Sequence, residues 1–146
     1  MAYDPRRSAE RIVLDTNVLA SALAFGGVPE SILELGRGGL VRIFASSFIL
    51  GELAQVLAAK KFGWTASEIA EVIKSLREFV SLVEPEERLR IIAAEPDDNR
   101  ILECGAAAQA QVIVTGNMKH IRPLGAFEGI HILTPREFLD RYFPGT

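Results

Sequence analysis

Three acidic residues stand where carboxylates could do chemistry. Asp15 directly follows a short apolar run, Glu52 lies among apolar residues at helical spacing, and Asp98 opens a segment with one apolar face. A carboxylate that faces a core without a partner is costly or takes up a proton. A divalent cation shared by the three acids would relieve that cost. Because no cysteine or histidine cluster accompanies them, oxygen ligation favours Mg²⁺ or Mn²⁺ over Zn²⁺.

Each of these residues also has a purely structural interpretation. Asp15 and Asp98 could cap helices, Glu52 could reach solvent at the edge of its helix, and Asn117 could serve a turn beside Gly116. No single residue separates the two interpretations. The whole set does favour a site, because a strand-end acid, a mid-helix acid, a helix-start acid and a strand-end amide occur in one chain.

The elements that would position this set alternate along the chain. Apolar runs predict strands at 11–14, 41–45, 81–83, 112–114 and 130–133. Helices are predicted at about 18–25, 29–35, 47–60, 65–79 and 99–111, and from 134 onward. Thr65 and Thr134 each precede a glutamate by three residues, which is the sequence pattern of a capping box. Alternation of this kind predicts an α/β domain with a central parallel sheet flanked by helices on both faces.

Composition and charge narrow the class of protein. The chain has 146 residues, a formal net charge of −3 and one cysteine, Cys104, which is expected to be buried. We expect a flexible N-terminal segment over residues 1–10, no signal peptide or membrane span, and a reduced cytoplasmic location. The charge argues against a broad basic surface, so Lys60, Lys61 and Arg37 are interpreted as exposed charges, with substrate contact as the alternative.

Four segments resemble the motifs of the PIN-domain family, in the family's order. They are IVLDTNVL at 12–19, SFILGEL at 47–53, EPDDNRILEC at 95–104 and VIVTGN at 112–117. The segment ILTPREFL at 132–139 also fits the PIN-family toxins of prokaryotic toxin–antitoxin systems, which are related to VapC. The likeness covers about residues 11–141.

The resemblance implies one PIN-like nuclease domain over residues 11–146 that cleaves RNA with Mg²⁺ or Mn²⁺. It also implies a homodimer and a neutralising antitoxin protein. Asp15 and Asp98 would hold the metal directly, and Glu52 would hold it directly or through water. Asn17 and Thr115 would orient the carboxylates or the attacking water.

The fourth motif departs from the family pattern. Many PIN domains carry aspartate where this chain has Asn117, so the acids fall from four to three. The amide oxygen could still face a metal or a water on it. Asp97 is expected to cap the helix that follows rather than share the metal with Asp98, since adjacent helical side chains point about 100° apart. His120 either faces the substrate phosphate or lies in a solvated loop.

Two other functions stay open at this point. One is a catalytically weakened PIN module that binds RNA or a protein partner without cutting, which Asn117 and the modest basic content would suit. The other is a phosphotransfer receiver or aspartyl-phosphate hydrolase, which also uses a strand-end aspartate. We disfavour the second, because it gives Glu52 and Asp98 no role and no lysine ends a later strand.

Overall fold

Six strands form one sheet in a computed structural model that describes residues 9–145. The strands are β1 (Glu10–Leu14), β2 (Val41–Ala45), β3 (Val80–Leu82), β4 (Val112–Val114), β5 (Ala126–Phe127) and β6 (Ile130–Leu133). The predicted flexible segment 1–10 lies outside the described residues, except for its last two positions.

Within residues 9–145, six α-helices and two short 3-10 turns connect or flank the strands. The helices are α1 (Thr16–Ala24), α2 (Gly27–Arg37), α3 (Ser47–Ala58), α4 (Ala66–Leu76), α5 (Asn99–Ala107) and α6 (Pro135–Tyr142). The 3-10 turns are Pro96–Asp98 and Arg122–Leu124. Both predicted capping boxes form, at Thr65 before α4 and at Thr134 before α6.

The sheet has the order β3-β2-β1-β4-β6-β5, and every pairing is parallel except that of β5 with β6. The predicted α/β class with a mainly parallel sheet is therefore confirmed. In β1, the consecutive residues Ile12, Val13 and Leu14 are all buried, so both faces of this strand are covered. After β1 the chain builds outward through β2 and β3, then crosses to β4 on the other side. The carboxyl ends of β1 and β4 therefore form a topological switch point.

Several element boundaries differ from the predictions. The alanine-rich helix α5 ends at Ala107 rather than near 111, because Gln109 adopts a left-handed conformation with φ of 52° and the backbone turns toward β4. Helix α4 ends at Leu76 rather than near 79, since β3 begins at Val80. The antiparallel strand β5 was not predicted. It has only two residues, and a turn with positive φ at Glu128 and Gly129 joins it to β6.

Cys104 is buried, as predicted, and burial raises the pKa of its thiol to about 12. The thiol therefore stays protonated and serves as a small core group. Within residues 9–145 no single helix is long and apolar enough to span a membrane, although α1 and α2, bent by 97° at their junction, meet the length and composition criteria when taken together.

Candidate metal centre

A pocket opens at the switch point, where the carboxyl ends of β1 and β4 meet the first turn of α1. All three candidate acids line it. The lining residues are Asp15, Thr16, Asn17, Glu52, Val56, Asp98, Ile101, Asn117 and Ile121. The fold thus gathers side chains that are up to 106 positions apart in the sequence, counted from Asp15 to Ile121.

Asp15 caps a helix, as one of its two interpretations from the sequence has it, and it also lines the pocket. It is the N-cap of α1, where its Oδ1 accepts a hydrogen bond of 2.9 Å from the backbone N–H of Val18. Its Oδ2 accepts a hydrogen bond from the hydroxyl of Thr115. Asp15 is only 3% exposed. Burial raises its pKa above the usual range, the nearby charge of Asp98 adds to that shift, and the hydrogen bonds oppose it.

Glu52 projects from α3 into the same pocket, and its partner is a hydroxyl group. Thr16, the first residue of α1, donates a hydrogen bond from its Oγ1 to Oε1 of Glu52. Thr16 is buried and directly follows Asp15 in the sequence. No role was predicted for Thr16 from the sequence. Its position could have indicated a role, because Thr16 directly follows Asp15 at the carboxyl end of β1, the edge of the sheet where ligands bind.

Asp98 lies at the end of the first 3-10 turn and is held by two side chains. The amide Nδ2 of Asn117 donates to its Oδ2 at 3.0 Å, and Nδ1 of His120 lies 3.2 Å from the same oxygen. The amide oxygen of Asn117 accepts from the backbone N–H groups of Lys119 and His120, at 3.2 and 2.9 Å. In this arrangement the oxygen of Asn117 is engaged by the backbone, and its nitrogen faces the acid.

Of the other residues predicted for the site, Thr115 and Asn17 belong to it and Asp97 does not. Thr115 joins the site from β4, because its Oγ1 donates to Asp15 and accepts from the backbone N–H of Asn117 at 2.9 Å. Asn17 lines the pocket with an exposed side chain. Asp97 is exposed and lies outside the pocket lining. The expectation that Asp97 caps α5 is wrong, since Asp98 occupies the N-cap position and no side chain caps that helix within the described residues.

The donors in the pocket fit a hard divalent cation by their chemistry. All are oxygens from carboxylates, hydroxyls or amides. Among residues 9–145 no lysine or arginine forms an ion pair with the three acids, so the burial that raises the pKa of Asp15 has no fixed cation to offset it. In the same part of the chain no three His, Cys, Asp or Glu side chains are grouped tightly enough to hold one ion as they stand.

The segment before Asp98 is fixed by buried polar residues that the sequence analysis missed. Asn99 is 2% exposed, accepts from the backbone N–H of Ile92 at 2.8 Å, and donates to the carbonyls of Ile92 and Pro96 at 2.8 and 2.9 Å. Arg100, the next residue, forms a buried ion pair of 2.7 Å with Glu103, and both side chains also bind the backbone of Leu89. These contacts hold the irregular chain that leads to Asp98 against α5.

Comparisons with known proteins agree with this fold. The family model for the PIN domain matches residues 11–119. Among the solved structures that match is VapBC2 from Rickettsia felis, bound to a DNA fragment from their promoter. The likeness has a TM-score of 0.58 at 18% identity and covers 84% of this chain and 96% of that chain, and at this identity it shows the fold alone. None of the curated proteins compared with the chain matches it.

Proposed function

The chain belongs to the PIN-domain family, and from this we propose that it is a metal-dependent endoribonuclease that hydrolyses RNA phosphodiester bonds. PIN domains are generally nucleases, which supports a hydrolase. The observation that carries the proposal is the pocket at the switch point, which Asp15, Glu52 and Asp98 all line. Open α/β sheets bind their ligands at this position.

The proposed chemistry divides between a cation and the side chains that hold it. Asp15 and Asp98 would bind Mg²⁺ or Mn²⁺ directly, and Glu52 directly or through water. A cation bound there supplies the Lewis acidity that activates water and offsets the charge developing on the scissile phosphate. Thr115 keeps the carboxylate of Asp15 in place, and Thr16 does the same for Glu52.

An RNA cleavage assay with matched variants tests this proposal. Purified protein is incubated with RNA and Mn²⁺, with EDTA as the metal-free control. Asp98→Asn is compared with Asp97→Asn, which removes a neighbouring charge outside the pocket. Because loss of a group that only supports a ligand costs about 10–100-fold, we expect Asp98→Asn to lose at least that much activity and Asp97→Asn to lose little. Cleavage that persists in EDTA, or in Asp15→Asn, contradicts the proposal.

A second candidate function is a PIN module that binds RNA or a protein without cutting. Two observations favour it. The acids of residues 9–145 are not grouped for one ion as they stand, and the backbone engages the oxygen of Asn117. Calorimetric titration with Mn²⁺ separates the two candidates, since a catalytic site must bind the ion and a module without activity need not.

We further propose that the chain is the toxin of a toxin–antitoxin pair, acting in the cytoplasm as a homodimer. The support is the motif resemblance together with the fold likeness to a protein of the VapBC2 complex. Induced expression should arrest bacterial growth, and the product of a neighbouring reading frame should relieve the arrest. Light scattering after size-exclusion chromatography measures the oligomeric state. A folded, RNA-cleaving protein that leaves growth unchanged contradicts the toxin role but not the nuclease activity.

A further inference from the structure

A second groove lies directly beside the acid pocket and shares two of its wall residues, Asn17 and Val56. Its volume is about 360 Å³, within the range of roughly 300–1,000 Å³ that ligand-binding clefts occupy. The other lining residues are Ala20, Ser21, Phe25, Ala59, Lys61 and Phe62. The groove therefore continues the candidate active site toward the surface between α1 and the end of α3.

Two aromatic rings dominate this groove. Phe25 follows the last residue of α1 and is 69% exposed, more than the other exposed large hydrophobic side chains of the described residues. Its ring centroid lies 5.5 Å from that of Phe62, with the planes tilted by 42°. The Nζ of Lys61 lies 5.5 Å from the centroid of the Phe62 ring. The exposed ring of Phe25 is thus available to a ligand, and the positive charge of Lys61 lies beside Phe62, the other ring of the pair.

We propose that this groove, defined by Phe25 and Phe62, is a stacking subsite for an unpaired base of the RNA substrate. The inference rests on the proposed nuclease function. Aromatic side chains bind single-stranded nucleic acid by stacking on its bases, usually beside basic groups that contact the phosphates. Lys61 is placed for such a contact.

Net charge favours a nucleotide held by stacking over one held by phosphate contacts alone. The formal net charge of the chain is −3, and three carboxylates line the neighbouring pocket. The composition therefore does not provide a broad electrostatic attraction to RNA. Stacking supplies affinity that does not depend on charge. The wall shared at Asn17 and Val56 means that a base held by Phe25 lies next to the acids. Its adjoining phosphate would then be within reach of the proposed cation site.

Binding of labelled RNA to matched variants tests the subsite. A fluorescein-labelled oligouridine is titrated in Ca²⁺, with a gel to show that it stays intact. Phe25→Ala is compared with Phe48→Ala, an exposed phenylalanine at the start of α3 that lines a different groove. Because stacking on an aromatic ring contributes about 1–3 kcal/mol per base, Phe25→Ala should weaken binding about 5- to 150-fold. Phe48→Ala should leave the Kd unchanged.

Two further variants and a base-free probe identify the type of contact. Phe25→Tyr should keep the affinity, and Phe25→Leu should lose most of it although it retains an apolar side chain. An abasic oligomer of the same length should bind the wild type and Phe25→Ala equally. Urea unfolding of each variant shows that the protein is folded.

The outcomes separate this inference from the nuclease proposal. If Phe25→Ala binds oligouridine as well as Phe48→Ala does, the subsite is wrong and the groove is left to a protein partner, while metal-dependent cleavage by the wild type would still stand. If Phe25→Leu binds like the wild type, stacking is wrong. If wild type binds the oligomer through Phe25 but cuts no RNA in Mn²⁺, the subsite stands and the nuclease proposal fails. Wild type that binds no oligouridine overturns the subsite.

Discussion

Asn117 offers a sharp test of the candidate metal centre, because one substitution converts its contact with Asp98 from attraction to repulsion. In Asn117→Asp, the Oδ1 position can still accept from the two backbone N–H groups that the amide oxygen now serves. The amide nitrogen, which donates to Asp98 at 3.0 Å, becomes a carboxylate oxygen. The substitution therefore restores a fourth acid and places two negative charges in contact.

The magnitude follows from that distance. Two unit charges 3.0 Å apart repel by about 1.4 kcal/mol in bulk water and about 5.5 kcal/mol at an effective dielectric constant of 20. The side chains can rotate apart or take up a proton, which limits the cost. With the lost hydrogen bond included, we expect the free energy of unfolding of the metal-free variant to fall by about 2–4 kcal/mol at neutral pH.

Urea unfolding without Mn²⁺ measures the loss of stability caused by the repulsion, and unfolding with Mn²⁺ measures the stabilisation by the ion. A fourth acid should bind the ion more tightly, and a tenfold gain in affinity adds about 1.4 kcal/mol of stabilisation when Mn²⁺ is in excess. The double variant Asp98→Asn with Asn117→Asp moves the charge across the contact and should recover much of the lost stability. If Mn²⁺ stabilises neither the wild type nor Asn117→Asp, the pocket is not a cation site, and equal stabilisation of the two would show that position 117 does not face the ion. If the double variant recovers nothing, the contact is not electrostatic.

Three further predictions concern the frame around the site. Asn99→Asp replaces two buried donor contacts by carboxylate–carbonyl repulsion, so it should lower the free energy of urea unfolding by about 2–5 kcal/mol. Gly105→Ala places a methyl 2.8 Å from a β4 side chain and should cost about 1–3 kcal/mol, whereas the exposed helical Gly51→Ala should gain up to about 1 kcal/mol in the same assay. The pKa of Glu137 is lowered from 4.5 to about 2, mainly by its two hydrogen bonds from Arg122. The ionised carboxylate therefore stabilises the folded protein above pH 4.5, and this contribution is lost as the pH falls toward 2. The difference in stability between wild type and Glu137→Gln should vanish over that range, and a difference constant with pH would contradict the assigned cause.

The fold was largely predictable because its signals are local. Continuous apolar runs identified β1, β2, β4 and β6, and two S/T-x-x-E patterns identified the starts of α4 and α6. The errors lie where tertiary contacts override local preference. Alanine propensity would extend α5 to 111, but the chain must turn at Gln109 to enter β4. A two-residue strand such as β5 has too few residues to show the alternation of apolar and polar residues that predicts a strand.

The sequence predicted that the three acids would lie together and that Thr115 would orient a carboxylate, but it did not predict the donors to Glu52 and Asp98. Parallel strands that end at one edge bring Asp15 and Thr115 together, and the motif order added Glu52 and Asp98. Which donor serves which acid depends on side-chain geometry across elements that are far apart in the sequence. No periodicity relates Thr16 to Glu52, which are 36 positions apart. The amide orientation of Asn117 is likewise set by two backbone N–H groups beyond it, which its residue type alone does not reveal.

The donors to the three acids are compatible with the proposed cation site. Thr115 serves Asp15, Thr16 serves Glu52, and Asn117 serves Asp98, so each acid is held by a side chain that carries no charge. Neutral donors hold a carboxylate in place without neutralising its charge, whereas a lysine or arginine would neutralise the charge that attracts a metal. Within residues 9–145 the one cationic group at these acids is His120, when protonated. The negative charge of the three acids therefore stays available to a divalent ion.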